Sequence, residues 1–154
     1  MGRERGALGC VQVITELVPG LEATSPWFEI AQERIDEFAA ATEDHQSIHV
    51  DPELAAQGPF GTTVAHGFLT LSLLVPLWNS VASVDGFRVV VNYGLNRVRF
   101  PAPVPSGSRV RATFRIGSVE DVAGGVQATL AATVEREGGE KPVCVAEFLL
   151  RYLR

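Results

Sequence analysis

The chain has 154 residues, of which 46% are apolar and 20% are charged, and its formal net charge is -5. This length and composition predict one globular domain, residues 1–154, that can bury a substantial core. The acidic balance, and arginines that alternate with apolar residues as on a sheet surface, argue against a nucleic-acid partner. No apolar run reaches transmembrane length and the first residues lack the apolar stretch of a signal peptide, so we expect a cytoplasmic protein without a membrane partner.

The first part of the chain is predicted to be mainly helical. Residues 1–10 are expected to form a flexible end, and residues 27–30 a short strand. A helix is predicted over Gln32–Thr42, because apolar residues recur there on one face at i, i+3 and i+4. Residues 44–50 are predicted to be a loop, and the following Asp51, which precedes a proline, is predicted to cap a short helical turn.

The most apolar segment covers residues 64–79 and is apolar nearly all round. It is predicted to be a helix that is buried on most sides, with Pro76 kinking or ending it. After Gly86 the pattern changes to alternation with a period of two, which predicts strands. These strands cover residues 87–93, 95–100, 109–116, 126–134 and 143–152. Because helices precede strands and the links are short, we predict an α+β fold in which an antiparallel β-sheet wraps around the apolar helix.

Asp44 and His49 form the first candidate site. A carboxylate and an imidazole on one short segment can hold a water molecule between them, so that one group takes a proton while the other delivers one. The alternative is structural, with Asp44 capping the preceding turn and His49 packed in the loop. The spacing alone leaves both interpretations open, because such pairs occur at functional sites and also elsewhere.

A metal site and a covalent nucleophile are weaker interpretations. The chain offers four possible metal ligands close together in sequence: His45, His49, Asp51 and His66. They lack the HExxH pattern or another metal-ligand spacing, so we expect no metal. No serine lies in a G-x-S-x-G turn, and neither Cys10 nor Cys144 has the context of a nucleophile. Cys144 lies in an apolar run and is predicted to be a reduced core residue.

His66 and Gly67 stand near the start of the long apolar segment. The first turn of a helix leaves backbone N–H groups unpaired, so the Gly67 N–H is a candidate donor to a ligand oxygen, with His66 beside it. A donor of this kind would stabilise an oxyanion on a thioester carbonyl by about 3–4 kcal/mol. A glycine required only for tight helix–sheet packing is the structural alternative.

Polar residues among the predicted strands are further candidates for ligand contacts. Asn92 lies in a polar run that could line a site, although a bulge or turn is the preferred interpretation, since Asn and Gly favour that geometry. Arg97 and Arg99 are candidates for contacts with the phosphates of a bulky ligand. Arginines on a sheet surface are more often simply solvated, and we prefer that interpretation.

Three stretches of the sequence resemble the signature of the MaoC-like, (R)-specific enoyl-CoA hydratases. They are FAAATEDHQSIHVDP (residues 38–52), GPFGTTVAHGFLTLSLL (residues 58–74) and NYGLNRVRFPAPV (residues 92–104). The resemblance covers most of the chain from about residue 27 onward. Within the family, the chain looks like the single-domain branch that includes nodulation protein N-like proteins.

This resemblance implies the hotdog fold, an antiparallel sheet around a central helix that begins near Gly67, and a homodimer formed through the sheets. It implies reversible hydration of trans-2-enoyl-CoA to (R)-3-hydroxyacyl-CoA, with no metal or redox cofactor. The family's catalytic Asp and His fall on Asp44 and His49, and its oxyanion-hole amide falls on Gly67. Phe68 is then a candidate for the acyl-chain tunnel, although packing of the central helix explains it equally well.

Three positions depart from the family pattern. Many members have Asn-Pro between the catalytic residues, where this chain has Gln46 and Ser47. Gln46 can keep an amide near the substrate, whereas Ser47 lacks the fixed φ of proline, so we expect a less rigid loop. Some hydratases carry a serine eight residues after the oxyanion glycine, where this chain has Val75. A hotdog acyl-CoA thioesterase and a non-catalytic acyl-thioester binding module therefore stay open as competing functions.

Overall fold

The structure is a computed structural model that describes residues 13–154. The helices are α1 (Gln32–Thr42), α2 (Ser47–Val50), α3 (Pro52–Ala56), α4 (Gly67–Ser72) and α5 (Leu74–Asn79). The strands are β1 (Glu22–Thr24), β2 (Phe28–Ile30), β3 (Val89–Arg99), β4 (Ser108–Val122), β5 (Gly125–Arg136) and β6 (Cys144–Leu153). The flexible end expected at residues 1–10 lies outside the described residues.

The strands form one antiparallel sheet. Its order is β1-β4-β5-β6-β3, and β2 pairs with the first residues of β4. A tight turn joins β4 to β5, and Gly124 adopts a φ of +81° there, which glycine reaches without a steric penalty. The predicted α+β class with an antiparallel sheet is confirmed. Within residues 13–154, none of the helices has the length and apolar character needed to cross a membrane.

The inner face of the sheet packs against α4 and α5. Leu74, Leu77 and Trp78 are almost fully buried in the same cluster as the inward-facing strand residues. The Trp78 indole lies edge-on to Phe114, with the ring centroids 5.3 Å apart. Its Nε1–H donates a hydrogen bond to the Tyr152 hydroxyl at 2.8 Å. Since a buried aromatic side chain removes about 150–250 Å² from water, these contacts anchor α5 against β4 and β6.

The single helix predicted over residues 64–79 is wrong in its extent. The segment forms two helices, α4 and α5, which meet at Leu73. Pro76 accounts for the break, because it has no N–H to donate to the carbonyl of Ser72 and its ring would clash with that carbonyl in a continuous helix. The predicted effect of the proline is therefore present, but the interruption falls one turn before it.

The segment is buried on most sides, as predicted, but one face of it is exposed. The Phe68 side chain is 72% exposed and that of Val75 is 38% exposed. Both lie near the edge strand β3, where Val89, Val90 and Tyr93 are each at least half exposed. An apolar strip thus remains uncovered along this side of the chain.

Other segments differ from the predictions in smaller ways. Residues 44–50 are not wholly a loop, because α2 occupies the second half of that segment. A four-residue turn carries too little periodicity to be recognised in a sequence. The strands predicted at residues 87–93 and 95–100 are one strand, β3, whose pairing with β6 is irregular between Asn92 and Gly94. The bulge preferred at Asn92 is therefore present, whereas the short strand β1 was not predicted.

The thiol of Cys144 gives a direct test of the core. Cys144 is fully buried at the start of β6, and burial raises the pKa of its thiol to about 11. At pH 8 only about one such thiol in a thousand would be ionised, and the thiolate is the reactive form. In a Cys10→Ser variant at pH 8, we expect a disulfide reagent such as DTNB to react with the native protein at least about 100-fold more slowly than with the urea-unfolded chain. Rapid, stoichiometric reaction of the native variant would contradict this packing.

Candidate active site

His49 is the third residue of α2, and its imidazole is 7% exposed. The ring Nδ1 lies 2.6 Å from the carbonyl oxygen of Val64. Because a carbonyl only accepts hydrogen bonds, Nδ1 carries the hydrogen, and in the neutral ring Nε2 keeps its lone pair. A backbone bond from the Val64 N–H to the Ile48 carbonyl, at 2.9 Å, joins the same two segments. The structure thus selects one tautomer of His49 and leaves Nε2 able to accept a proton.

His66 lies directly behind His49. Its side chain is 3% exposed, and its ring stacks on that of His49 with centroids 3.8 Å apart and an interplanar angle of 23°. The His66 Nε2–H donates to the backbone carbonyl of Asp44 at 2.9 Å. Its Nδ1 is buried and makes no hydrogen bond to any described residue. His66 therefore supports both members of the predicted Asp–His pair.

Asp44 follows the end of α1. The helix ends at Glu43, which adopts a left-handed conformation with a φ of 63° and so turns the chain away from the helix axis. The Asp44 side chain is exposed, and its Oδ1 lies 3.5 Å from the Gln46 N–H, too far for a strong hydrogen bond. The carboxylate therefore faces solvent with most of its hydrogen-bonding capacity free.

Side-chain atoms of Asp44, His49 and His66 lie within 4.8 Å of one another, so these three residues are a possible ligand set for a metal ion. An ion about 2.0–2.1 Å from a nitrogen of each imidazole would have to lie close to both ring planes. The two rings are stacked rather than convergent, so one of them would have to turn away first. One nitrogen of each ring also donates to a backbone carbonyl. The arrangement fits an acid–base pair better than a metal site.

A cavity of about 350 Å³ opens beside His49 and is mostly apolar. Gly67 lines it together with His49. Gly67 is the first residue of α4, so its N–H has no acceptor within the helix. A Cβ atom at this position would come within 3.1 Å of the Phe100 ring, so only glycine leaves the amide this accessible without moving the ring. A ligand in the cavity can reach the Gly67 amide and the His49 imidazole together.

One wall of the cavity was not assigned a role from the sequence. It is formed by apolar residues from two loops: Phe60, Phe100, Pro101, Ala102, Pro103 and Val104. A Pro-Ala-Pro run directly after a strand was the available signal, because proline ends regular pairing. The segment is fixed in place, since the Ala65 N–H donates to the Val104 carbonyl at 2.8 Å.

The structure places the other predicted contact residues in several different positions. Gln46 is exposed at the N-cap of α2, near Asp44. Phe68 and Asn92 line a separate depression between α4 and β3. Arg97 lies in a groove with Arg99 and residues of β5 and β6. Asp44 and His66 therefore lie close to His49 without lining the cavity, and Gly67 lines the cavity with His49. Phe68, Asn92 and Arg97 do not line this cavity and lie in other depressions.

Comparison with known proteins identifies relatives along most of the chain. A family model described as "MaoC like domain" matches residues 19–140. The 3-hydroxyacyl-thioester dehydratase Z of Mycobacterium tuberculosis (strain ATCC 25618 / H37Rv) is 60% identical over 130 residues, which cover 84% of this chain and 86% of that protein. Nodulation protein N of Rhizobium leguminosarum bv. viciae is 44% identical over 128 residues, which cover 81% of this chain and 80% of that protein.

A solved structure shares the architecture. The unliganded R-hydratase PhaJ1 from Pseudomonas aeruginosa superposes with a TM-score of 0.74 and 26% identity, covering 94% of this chain and 88% of that one. The predicted hotdog fold and the resemblance to nodulation protein N-like proteins are thereby confirmed.

The hydrogen bonds of the stacked pair predict a specific pattern of ring protonation. In ¹⁵N-histidine spectra at alkaline pH, we expect His49 as the Nδ1–H tautomer and His66 as the Nε2–H tautomer, because each of these nitrogens faces a carbonyl. The exposed His45 provides an internal reference for a ring free to exchange between forms. Finding the hydrogen of His49 on Nε2 would contradict the geometry described above.

Proposed function

The chain belongs to the MaoC-like dehydratase family and is a hydro-lyase, and we propose that it reversibly hydrates trans-2-enoyl thioesters, as CoA esters, to (R)-3-hydroxyacyl thioesters. The observation that carries this proposal is the position of His49, which has one tautomer selected, lies close to the Asp44 carboxylate and lines one cavity with Gly67. The names of the relatives, a 3-hydroxyacyl-thioester dehydratase and an R-hydratase, support the same chemistry.

In the proposed reaction, Asp44 and His49 hold the attacking water. One O–H bond of the water breaks as its oxygen bonds to C3 of the enoyl group, and the proton moves to His49 Nε2. This nitrogen is the acceptor because Nδ1–H is already committed to the Val64 carbonyl. The nearby Asp44 carboxylate stabilises the imidazolium that forms. C2 then takes a proton from the pair, which returns to its starting protonation state.

Gly67 has the complementary role in this proposal. Adding oxygen at C3 pushes electron density towards the thioester carbonyl, whose oxygen becomes enolate-like. A hydrogen bond from the Gly67 N–H would stabilise that developing charge, and a single donor of this kind is typically worth about 3–4 kcal/mol of barrier. The apolar wall that contains Phe100 excludes water from the carbonyl and strengthens the bond.

A homodimer is the second part of the proposal. β3 is an edge strand of eleven residues, and no strand of residues 13–154 pairs with its outer backbone edge. Such an edge is a template for pairing with another chain. Its apolar side chains, including Val89, Val90 and Tyr93, are uncovered, and Phe68 of α4 lies beside them. Pairing β3 with β3 of a second copy would cover this strip.

The proposed roles predict the effects of two substitutions. Asp44→Asn and His49→Ala should each lower kcat for crotonyl-CoA hydration by about 10²–10⁴-fold, the usual contribution of a positioned acid or base. Both variants should keep the parental circular dichroism spectrum, since neither side chain belongs to the main core. Parental hydration rates in both variants would overturn the assigned roles.

The same assay separates hydration from thioester cleavage. The parent protein should consume the absorbance of the enoyl group, release no free thiol, and form the (R)-3-hydroxy product. A saturated acyl-CoA serves as the control substrate and should remain intact. Thiol release from both esters would instead identify a thioesterase.

The proposed dimer predicts a change of mass in solution. Light scattering should give the parent protein twice the 16.6 kDa of one chain. Val90→Lys places a charge on the apolar edge of β3 and should shift the protein towards the monomer. Val18→Lys changes a similarly exposed valine outside the strands and should leave the mass unchanged. Monomeric parent protein, or an unchanged dimer in Val90→Lys, would count against pairing through β3.

A further inference from the structure

Gln32 touches both chain segments that carry the proposed site. It is the first residue of α1 and is half-buried. Its Oε1 accepts a hydrogen bond from the Thr63 hydroxyl at 2.6 Å. Its Nε2 donates to the backbone carbonyl of His49 at 2.8 Å and to Asp36 Oδ1 at 2.8 Å. Both amide hydrogens and the amide oxygen are therefore engaged, and the orientation of the side chain is fixed.

The bond from Gln32 gives the His49 carbonyl a hydrogen-bond donor that α2 cannot provide itself. The last carbonyls of a helix receive no hydrogen bond from an N–H group of the same helix, and a single helical turn is unstable alone. α2 has only four residues and begins at Ser47, which lacks the fixed φ of proline. Its geometry must therefore come from contacts with other elements. Gln32 is the side chain that holds the backbone of the residue bearing the imidazole.

Gln32 also closes a ring of hydrogen bonds around that imidazole. One amide group holds the carbonyl of His49, and its oxygen holds the hydroxyl of Thr63, which is 3% exposed. The next residue along the chain is Val64, whose carbonyl receives the Nδ1–H of His49. The backbones of residue 49 and of residues 63–64 are thus held at the separation that the hydrogen bond from His49 Nδ1 to the Val64 carbonyl requires.

We infer that Gln32 is a positioning residue for the proposed hydration, acting through the orientation and tautomer of His49. The polar side-chain atoms of Gln32 and Thr63 are engaged with each other, with Asp36 and with the His49 carbonyl, so neither side chain is expected to touch the substrate. Losing the Gln32 hydrogen bonds leaves Asp44, His49 and Gly67 unchanged but lets the His49 imidazole move out of alignment. Misplacing a catalytic group by about 1 Å can lower the rate by about 100-fold. The expected change in kcat rests on the proposed function, whereas the expected change in the orientation and tautomer of His49 does not.

The test compares two glutamine substitutions. Gln32→Met keeps the length of the side chain and removes its hydrogen bonds. Gln57→Met is the matched control, because Gln57 is an exposed glutamine whose Nε2 also donates to a backbone carbonyl, that of Glu53, outside this ring of bonds. We expect Gln32→Met to lower kcat for crotonyl-CoA about 10- to 100-fold with KM changed less than about threefold. Gln57→Met should match the parent protein.

A spectroscopic measurement separates positioning from a general loss of stability. In ¹⁵N-histidine spectra, Gln32→Met should lose the Nδ1–H signal of His49, while Gln57→Met keeps it. A folded Gln32→Met variant that retains both kcat and this signal overturns the inference. If the parent protein hydrates no enoyl-CoA, the proposed function fails, and the His49 signal still decides whether Gln32 positions the ring.

Thr63→Val is a second, independent variant that breaks the same hydrogen-bond network, at the bond between Thr63 and Gln32. It removes the hydroxyl bond that fixes the Gln32 amide oxygen, so the amide can turn away from the His49 carbonyl. If Gln32→Met does not fold, the Thr63→Val spectrum decides the matter. Weakening of the Nδ1–H signal of His49 supports the proposed positioning role of Gln32, and an unchanged signal overturns it.

Discussion

The hydrogen bond from His49 Nδ1 to the carbonyl of Val64 is the contact on which the proposed site depends. It joins a short turn to a segment fifteen residues further along, and it decides which ring nitrogen stays free. The stacked ring of His66 supports the same imidazole from behind and also holds the backbone of Asp44. Without these contacts, α2 would be a single turn with no intrinsic stability, and the candidate base would have no defined direction.

Residues 63–67 supply several of these groups within one short stretch. They contribute the Thr63 hydroxyl, the Val64 carbonyl, the His66 ring and the Gly67 amide. The same stretch is bonded to the loop that forms the cavity wall, because the Ser106 N–H donates to the Thr63 carbonyl at 2.9 Å. The proposed acid–base pair, the proposed oxyanion donor and the apolar wall are therefore parts of one connected unit. Packing of Trp78 against the sheet holds the helices that follow.

Features with strong local signals could be predicted from the sequence. The periodicity of α1 predicted Gln32–Thr42, and Asp51 caps α3 by accepting from the N–H groups of Glu53 and Leu54. Features set by tertiary contacts could not be predicted. The turn of α2 depends on bonds from Gln32 and Val64, and neither residue stands near it in the sequence.

The candidate contact residues show the same division. Asp44, His49 and Gly67 are candidates because the family signature covers them; Asp44 lies close to His49, and His49 and Gly67 line one cavity. Phe68, the residue after Gly67, was a candidate for the acyl-chain tunnel by the same resemblance. A helix turns by about 100° per residue, so the next side chain points elsewhere, and here it reaches the exposed strip beside β3. The direction of each side chain was the missing information.

The central claim is that Asp44 and His49 act as one unit on one water molecule. A double-mutant cycle in kcat/KM for crotonyl-CoA, with Asp44→Asn, His49→Ala and the double variant, measures that coupling. The account predicts that the double variant is no more than about tenfold slower than the slower single variant, because either substitution alone disables the pair. Losses that multiply fully would mean that the two side chains act independently, and would contradict it.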